Sequence, residues 1–226
     1  MEQVKRTPLS ARELPDYTRG EEIFNMASHI VGGAFAMAAL AICVVIAARR
    51  GSVAAVLTAV AYGVCMLLLY TMSSVYHGLR PPMAKKVFQV IDHCTIYFMI
   101  AGTYTPICVC AIAKRYPAAG WTVFGVVWGL TALAVTFTAI DLRKYRVFSM
   151  ICYLGMGWCI VFALKPTYES LPGPGFWLLV AGGLLYTVGA ALYGIGSKRR
   201  WFHSVFHLFV LAGSVCHFLT IALYVL

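Results

Sequence analysis

The stretch VAAVLTAVAYGVCMLLLYTMSSVYHGL (residues 53–79) contains no Lys, Arg, Asp or Glu, and its one histidine, His77, lies near its end, four residues after Ser73. A helix needs about 20 mainly apolar residues to cross the hydrocarbon core of a bilayer. This run is longer than that. It therefore predicts a transmembrane helix with a serine and a histidine at one membrane face.

Six more apolar runs of comparable character occupy residues 23–48, 87–113, 121–140, 147–164, 176–196 and 201–226. The whole chain is 61% hydrophobic and 12% charged, whereas a soluble domain is about half apolar and about a quarter charged. We therefore predict an all-α integral membrane protein with one seven-helix domain over residues 21–226. Residues 1–20 form a polar tail to which the sequence assigns no independent function. The Pro- and Gly-rich stretch 166–175 is predicted to be the longest loop.

The basic residues predict the orientation of the helices. Of the 18 Lys and Arg residues, 13 lie in the tail and the loops after spans two, four and six, and 5 lie in the alternate loops. Cytoplasmic loops carry the excess of Lys and Arg. We therefore expect a cytoplasmic amino terminus and a carboxyl terminus outside. The first span is too long for a signal-peptide core and is expected to be retained.

The net charge of +10 would suggest a nucleic-acid partner in a soluble protein, but here the charge lies in the loops and is read as a topology signal. We expect membrane lipids, and no nucleic acid, as partners.

Ionisable residues within spans gather at one membrane face. His77 ends span two, Asp92 opens span three, and His203 and His207 open span seven. Because successive spans alternate in direction, these four positions meet at the cytoplasmic face. Intramembrane ionisable groups are costly and commonly mark functional sites.

The spacing of these residues predicts a metal site. His203 and His207 lie four residues apart, on one side of a helix and about 6 Å apart along its axis. With His77 they can offer three neutral imidazoles, a donor set that suits Zn²⁺. Asp92 could orient or deprotonate a water molecule, and Ser73, one turn deeper than His77, could hydrogen-bond to it.

The alternative is a structural polar cluster without metal, because a pair of histidines four residues apart is often only hydrogen-bonded. The remaining histidines are weaker candidates. His29 could donate a hydrogen bond near the metal, His93 points about 100° away from its neighbour Asp92, and His217 lies about 15 Å from His207. Glu21, Glu22 and Asn25 are interpreted as caps at the start of the first helix.

Four motifs resemble the bacterial hemolysin III branch of the progestin and adipoQ receptor family. They are EEIFNMASH (residues 21–29), SSVYH (73–77), DHCTIYFMIAGTYTP (92–106) and HSVFHLFVLAGSVCH (203–217), and they occur in order through the membrane domain. The resemblance implies seven helices with a cytoplasmic amino terminus, and zinc bound by three histidines near that face. The matching positions are Ser73, His77, Asp92, His203 and His207. It further implies a fold similar to alkaline ceramidases, the lipid-amide hydrolase activity of animal relatives, and a bacterial plasma (inner) membrane protein linked to membrane-lipid homeostasis.

Three functions compete at this point. The first is a zinc-dependent intramembrane hydrolase of a lipid amide or ester, with Asp92 and Ser73 as catalytic residues. The second is a lipid sensor or receptor in which zinc is structural. The third, a channel or transporter, requires a polar path across both leaflets, yet apart from His217 the outer halves of the spans carry almost no ionisable group. We rank it last.

Overall fold

The computed structural model describes residues 6–196 and 199–226. Within them, seven helices are long and apolar enough to cross a membrane, and no strand occurs. This confirms the predicted fold class. The helices are α1 (Arg19–Arg49), α2 (Val53–Gly78), α3 (Pro82–Arg115), α4 (Pro117–Ile140), α5 (Arg146–Ser170), α6 (Gly173–Ile195) and α7 (Phe202–Val225). Lys5 and Lys198, two of the basic residues used to predict the orientation, lie outside the described residues.

Short-range signals place the helix starts. The Thr18 side chain caps α1 by accepting the backbone N–H of Glu21, whose carboxylate accepts the backbone N–H of Thr18 in return. Pro82 and Pro117 stand at the first positions of α3 and α4, where the missing N–H of proline costs nothing.

Helix α5 is longer than the sequence predicted. The segment Leu164–Ser170 is helical and α6 begins at Gly173, so most of the expected loop at 166–175 belongs to these two helices. Pro166 is the third residue of the segment Leu164–Ser170, which follows a 3-10 turn at Cys159–Ala163. It therefore lies in the first turn of that segment, where a backbone N–H has no partner within the helix. The connection between α5 and α6 is therefore short.

Consecutive helices pack against each other, and α7 also packs against α1, so the seven helices close into a ring. Helix α3 is the most buried of the seven. Close approach of α2 and α3 depends on Gly102, since a Cβ atom there would lie 2.6 Å from the Cβ of Cys65. The packing brings the end of α2 and the starts of α1, α3 and α7 to the same end of the bundle.

The amino-terminal tail packs across this end. The Thr7 backbone N–H donates to Asp141 Oδ2 at 2.9 Å, and Lys86 Nζ donates to the Ser10 carbonyl at 2.7 Å. Burial alone would raise the pKa of Asp141, but the backbone N–H groups of Thr7 and Lys144 favour the carboxylate and lower the pKa to about 2. The tail thus forms part of the fold, a role that its polar composition did not indicate.

Candidate metal centre

Three histidines converge inside the bundle. His77 lies in the last turn of α2, and His203 and His207 lie in the first turns of α7. The Nε2 atoms of His77 and His203 are 3.4 Å apart, and those of His203 and His207 are 3.1 Å apart. All three residues are buried and could hold a metal ion. The structure therefore brings together the three ligands that the sequence proposed.

The spacing of these nitrogen atoms fits zinc. Tetrahedral Zn–N bonds of about 2.0–2.1 Å place two ligand nitrogens roughly 3.3 Å apart, which agrees with the 3.1 and 3.4 Å between the Nε2 atoms. Hydrogen bonding alone does not explain the cluster. His77 Nδ1 faces a carboxylate and must carry the proton, so its Nε2 presents a lone pair.

The tautomer of His207 is fixed in the same way as that of His77. Its Nδ1 lies 3.4 Å from Ser28 Oγ, which donates its own proton to the Asn25 carbonyl. The Nδ1 atom is therefore the donor to Ser28, and Nε2 also presents a lone pair. His203 has at most one Nε2 proton to share between these two acceptors. A cation at the centre would satisfy all three nitrogens, and this is the physical case for a metal site.

Glu22 holds His77 in place, which the sequence did not predict. Its Oε2 accepts the His77 Nδ1 proton at 2.6 Å, while its Oε1 lies 2.9 Å from Lys85 Nζ. A carboxylate on the outer nitrogen of a metal-binding histidine fixes the tautomer and makes the imidazole more basic. The capping interpretation applies to Glu21 and is wrong for Glu22. The available signal was the spacing of Glu22, Asn25 and His29, which places them on one side of α1.

Ser73 and Asp92 lie next to each other beside the cluster. The side chain of Ser73 faces the Asp92 carboxylate. Both residues line a cavity of about 150 Å³ that also contacts His203 and His207. Most of the other lining residues are apolar or aromatic, among them Ile96, Met99, Ile100, Leu154, Trp158, Phe206 and Val210. The arrangement offers a proton acceptor and a hydrogen-bond donor in an apolar cavity of limited volume.

The remaining histidines lie outside the three-histidine group. His29 stacks on His207 with ring centroids 3.7 Å apart, and neither of its nitrogens has a hydrogen-bond partner among the described residues. His93 is held by the Gln89 carbonyl and the Tyr193 hydroxyl. His217 lies at the far end of the cavity, with Nε2 3.2 Å from the Leu179 carbonyl.

The tail covers the cluster from its open end. The Tyr17 ring stacks on the imidazole of His203, with centroids 4.9 Å apart and planes 21° apart, and lies 5.8 Å from the ring of His77. Burial, together with the nearby Tyr193 and Glu22, raises the pKa of Tyr17 well above its usual value, so this hydroxyl remains protonated. An aromatic side chain thus separates the imidazoles from water.

Seven membrane-spanning helices that enclose a buried three-histidine cluster define a multi-pass membrane protein with a candidate metal centre at one end of the bundle. Comparison with known proteins makes the assignment specific. The model of the family described as "Haemolysin-III related" matches residues 17–218. The chain belongs to the hemolysin III family.

Three relatives show how far the similarity extends. Hemolysin-3 of Bacillus cereus is 41% identical over 206 residues, covering 91% of this chain and 92% of the relative. The Hemolysin-3 homolog of Bacillus subtilis (strain 168) is 36% identical over 208 residues, covering 92% and 96%. Monocyte to macrophage differentiation factor of Homo sapiens is 25% identical over 172 residues, covering 73% and 69%. The human relative supports the predicted link to the progestin and adipoQ receptor family.

Proposed function

We propose that this chain is a zinc-dependent intramembrane hydrolase of a lipid amide or ester that contributes to membrane-lipid homeostasis in the bacterial plasma (inner) membrane. The observation that carries the proposal is the geometry of the cluster. Three buried imidazoles, with two Nε2 separations that match tetrahedral zinc, adjoin an apolar cavity that is also lined by Ser73 and Asp92. His77, His203 and His207 would hold the ion.

A bound zinc ion supplies Lewis acidity, which polarises a carbonyl group and lowers the pKa of a water molecule. The residues of the chain do the rest. Asp92 accepts a proton from the attacking water and returns it to the leaving amine or alcohol. The Ser73 hydroxyl, which faces the Asp92 carboxylate, is the proposed donor that orients it. The apolar cavity walls contact acyl chains and exclude bulk water.

The metal part of the proposal is tested by one matched pair of variants. The purified wild-type protein is expected to contain about one zinc ion per chain. His207→Gln should lose most of that zinc. His217→Gln, a buried histidine on the same helix but outside the cluster, should keep it. Metal analysis after purification without chelators gives the result, and a wild-type protein free of zinc would refute the proposal.

The catalytic part is tested by Asp92→Asn. This variant should keep zinc at saturating metal concentration and should lose the release of fatty acid from lipid amides or esters. Glu169→Gln, at an acid that pairs with Arg115 and does not line the cavity, is the control and should retain release. Release that is unchanged in Asp92→Asn would remove Asp92 from the mechanism.

The competing function is a non-catalytic membrane-lipid sensor or receptor with structural zinc. The contact of Tyr17 with His203 favours it, because a covered metal is less accessible to substrate. In that case no lipid would be hydrolysed, and Asp92→Asn would change only stability or signalling. The lipid-hydrolysis screen therefore decides between the two functions.

The cytoplasmic position of the amino terminus is part of the same proposal and rests on the distribution of Lys and Arg. Reporter fusions after Arg146 and Arg200 should report the cytoplasm, and a fusion at Leu226 should report the opposite side. A cytoplasmic signal at Leu226 would contradict the orientation.

A further inference from the structure

A second and larger cavity lies at the same end of the bundle as the histidine cluster. It has a volume of about 820 Å³ and is walled by the tail, the first residues of α5 and the residues around the start of α7. We call it the vestibule. Its charged lining residues are Arg12, Arg143, Arg146, Arg199 and Arg200 on the basic side, and Glu13, Asp16 and Glu21 on the acidic side.

Two of these arginines contact all three acidic residues. Arg143 Nη1 lies 3.5 Å from Glu13 Oε2. Arg200 Nη2 lies 3.1 Å from Asp16 Oδ2, and its Nη1 lies 3.4 Å from Glu21 Oε2. The acidic residues of the vestibule are therefore already paired.

Arg146 and Arg199 supply a surplus of positive charge, whereas the charge of Arg12 is offset by the nearby Asp141 carboxylate. Arg146 and Arg199 make no ion pair or side-chain hydrogen bond with the described residues. Arg12 is only 4% exposed; its Nη2 donates to the Ile140 carbonyl at 2.8 Å, and its Nη1 has no partner among the described residues. A buried guanidinium N–H without an acceptor is costly, so an acceptor from a ligand would stabilise this side of the vestibule.

The vestibule adjoins the apolar cavity beside the histidine cluster. His93, Tyr153, Tyr193 and His203 line both. A basic compartment and an apolar compartment thus meet at a candidate metal ligand. This arrangement matches an amphiphile with an anionic head and an acyl chain that are joined through an ester.

We propose that the vestibule binds the anionic phosphate group of a phospholipid, so that the acyl ester of that lipid is the bond to be cleaved. Guanidinium groups bind phosphate oxygens through charge-assisted hydrogen bonds. Cleavage of the acyl ester rests on the proposed hydrolase function, whereas binding of the phosphate group does not. Water adds to the ester carbonyl and the bond from that carbon to the alcohol oxygen breaks. The alcohol oxygen takes the proton held by Asp92, which leaves a fatty acid and a lysophospholipid.

Binding is tested separately from catalysis. The full-length Asp92→Asn protein, which removes the proposed proton acceptor, is purified in a neutral detergent. Its affinities for dioctanoyl phosphatidylglycerol, dioctanoylglycerol and inorganic phosphate are measured by calorimetry. We expect the phospholipid to bind about 10-fold more tightly than the neutral diacylglycerol, the difference of one good charge-assisted contact.

The arginines are tested in the same background. Arg146→Gln combined with Arg199→Gln should weaken phosphatidylglycerol binding several-fold, because an exposed guanidinium contributes only modestly, and should leave diacylglycerol binding unchanged. Arg80→Gln is the control, since Arg80 is exposed in the loop between α2 and α3 and does not line the vestibule.

Equal binding of the two lipids would overturn the proposal, as would an equal loss in Arg80→Gln. Inorganic phosphate that binds as tightly as the phospholipid would indicate a site for the free anion and would also overturn it. The two proposals can fail separately. Phospholipid preference without release of fatty acid by the wild type would defeat the hydrolase and keep the phosphate site. Hydrolysis of neutral lipids without a preference for the phospholipid would keep the hydrolase and defeat the phosphate site.

Discussion

Glu22→Gln should weaken metal binding without removing a metal ligand. The substitution preserves size but removes the negative charge that lies 2.6 Å from His77 Nδ1 and 2.9 Å from Lys85 Nζ. A glutamine oxygen can still accept the His77 proton, and Lys85 keeps carbonyl acceptors at Tyr76, His77 and Leu79. Loss of such a supporting carboxylate typically costs about 10- to 100-fold in metal affinity. Because these contacts partly survive, we expect about 10-fold, which equals about 1.4 kcal/mol.

The assay is a competition with a chromogenic chelator of known zinc affinity at neutral pH. Glu21→Gln is the matched control, because Glu21 is the adjacent buried acid and, among the described residues, bonds to Thr18, Arg200 and the Trp201 N–H and to no histidine. It should lower thermal stability and leave zinc affinity unchanged. Equal zinc affinities of Glu22→Gln and wild type would refute the role assigned to Glu22, and so would an equal loss in both variants.

Two further predictions concern helix packing and the tail that covers the histidine cluster. Gly182→Ala should lower the free energy of unfolding by about 1–3 kcal/mol, because a Cβ there would overlap the His217 ring; Gly183→Ala, whose Cβ would meet nothing closer than 3.8 Å, should be close to neutral in the same thermal unfolding assay. Tyr17→Ala should speed the removal of zinc by a soluble chelator several-fold, because the ring that covers His203 is lost, while Tyr17→Phe should keep the wild-type rate. A Tyr17→Ala rate equal to that of the wild type would show that the tail does not limit access.

The sequence was sufficient for those features that depend on hydropathy and helix periodicity. Long apolar runs predicted all seven helices, because the bilayer requires a continuous apolar length. The alternation of helix direction then placed His77 beside His203 and His207. Both arguments use only short-range spacing and the order of the spans.

The features that were missed depend on contacts distant in sequence. Glu22 and His77 are 55 residues apart, and Thr7 and Asp141 are 134 residues apart. A polar residue near a helix start has several possible partners, and only the packing of α1 against α2 selects the histidine. The role of the tail was missed for the same reason, since the contacts of residues 7–17 join positions distant in sequence and have no characteristic spacing.

The division of the three histidines between α2 and α7 has a consequence for biosynthesis. His77 lies in the second helix, with 149 residues of the chain after it, whereas His203 and His207 lie in the last of the seven helices. Before the last helix is made, His77 is the single imidazole of this site, and a single imidazole binds a divalent ion only weakly. A truncated chain that lacks α7 would therefore remain unable to capture the ion. Metal acquisition would then report that translation and insertion are complete, and it would tie the first-made half of the bundle to the last-made helix.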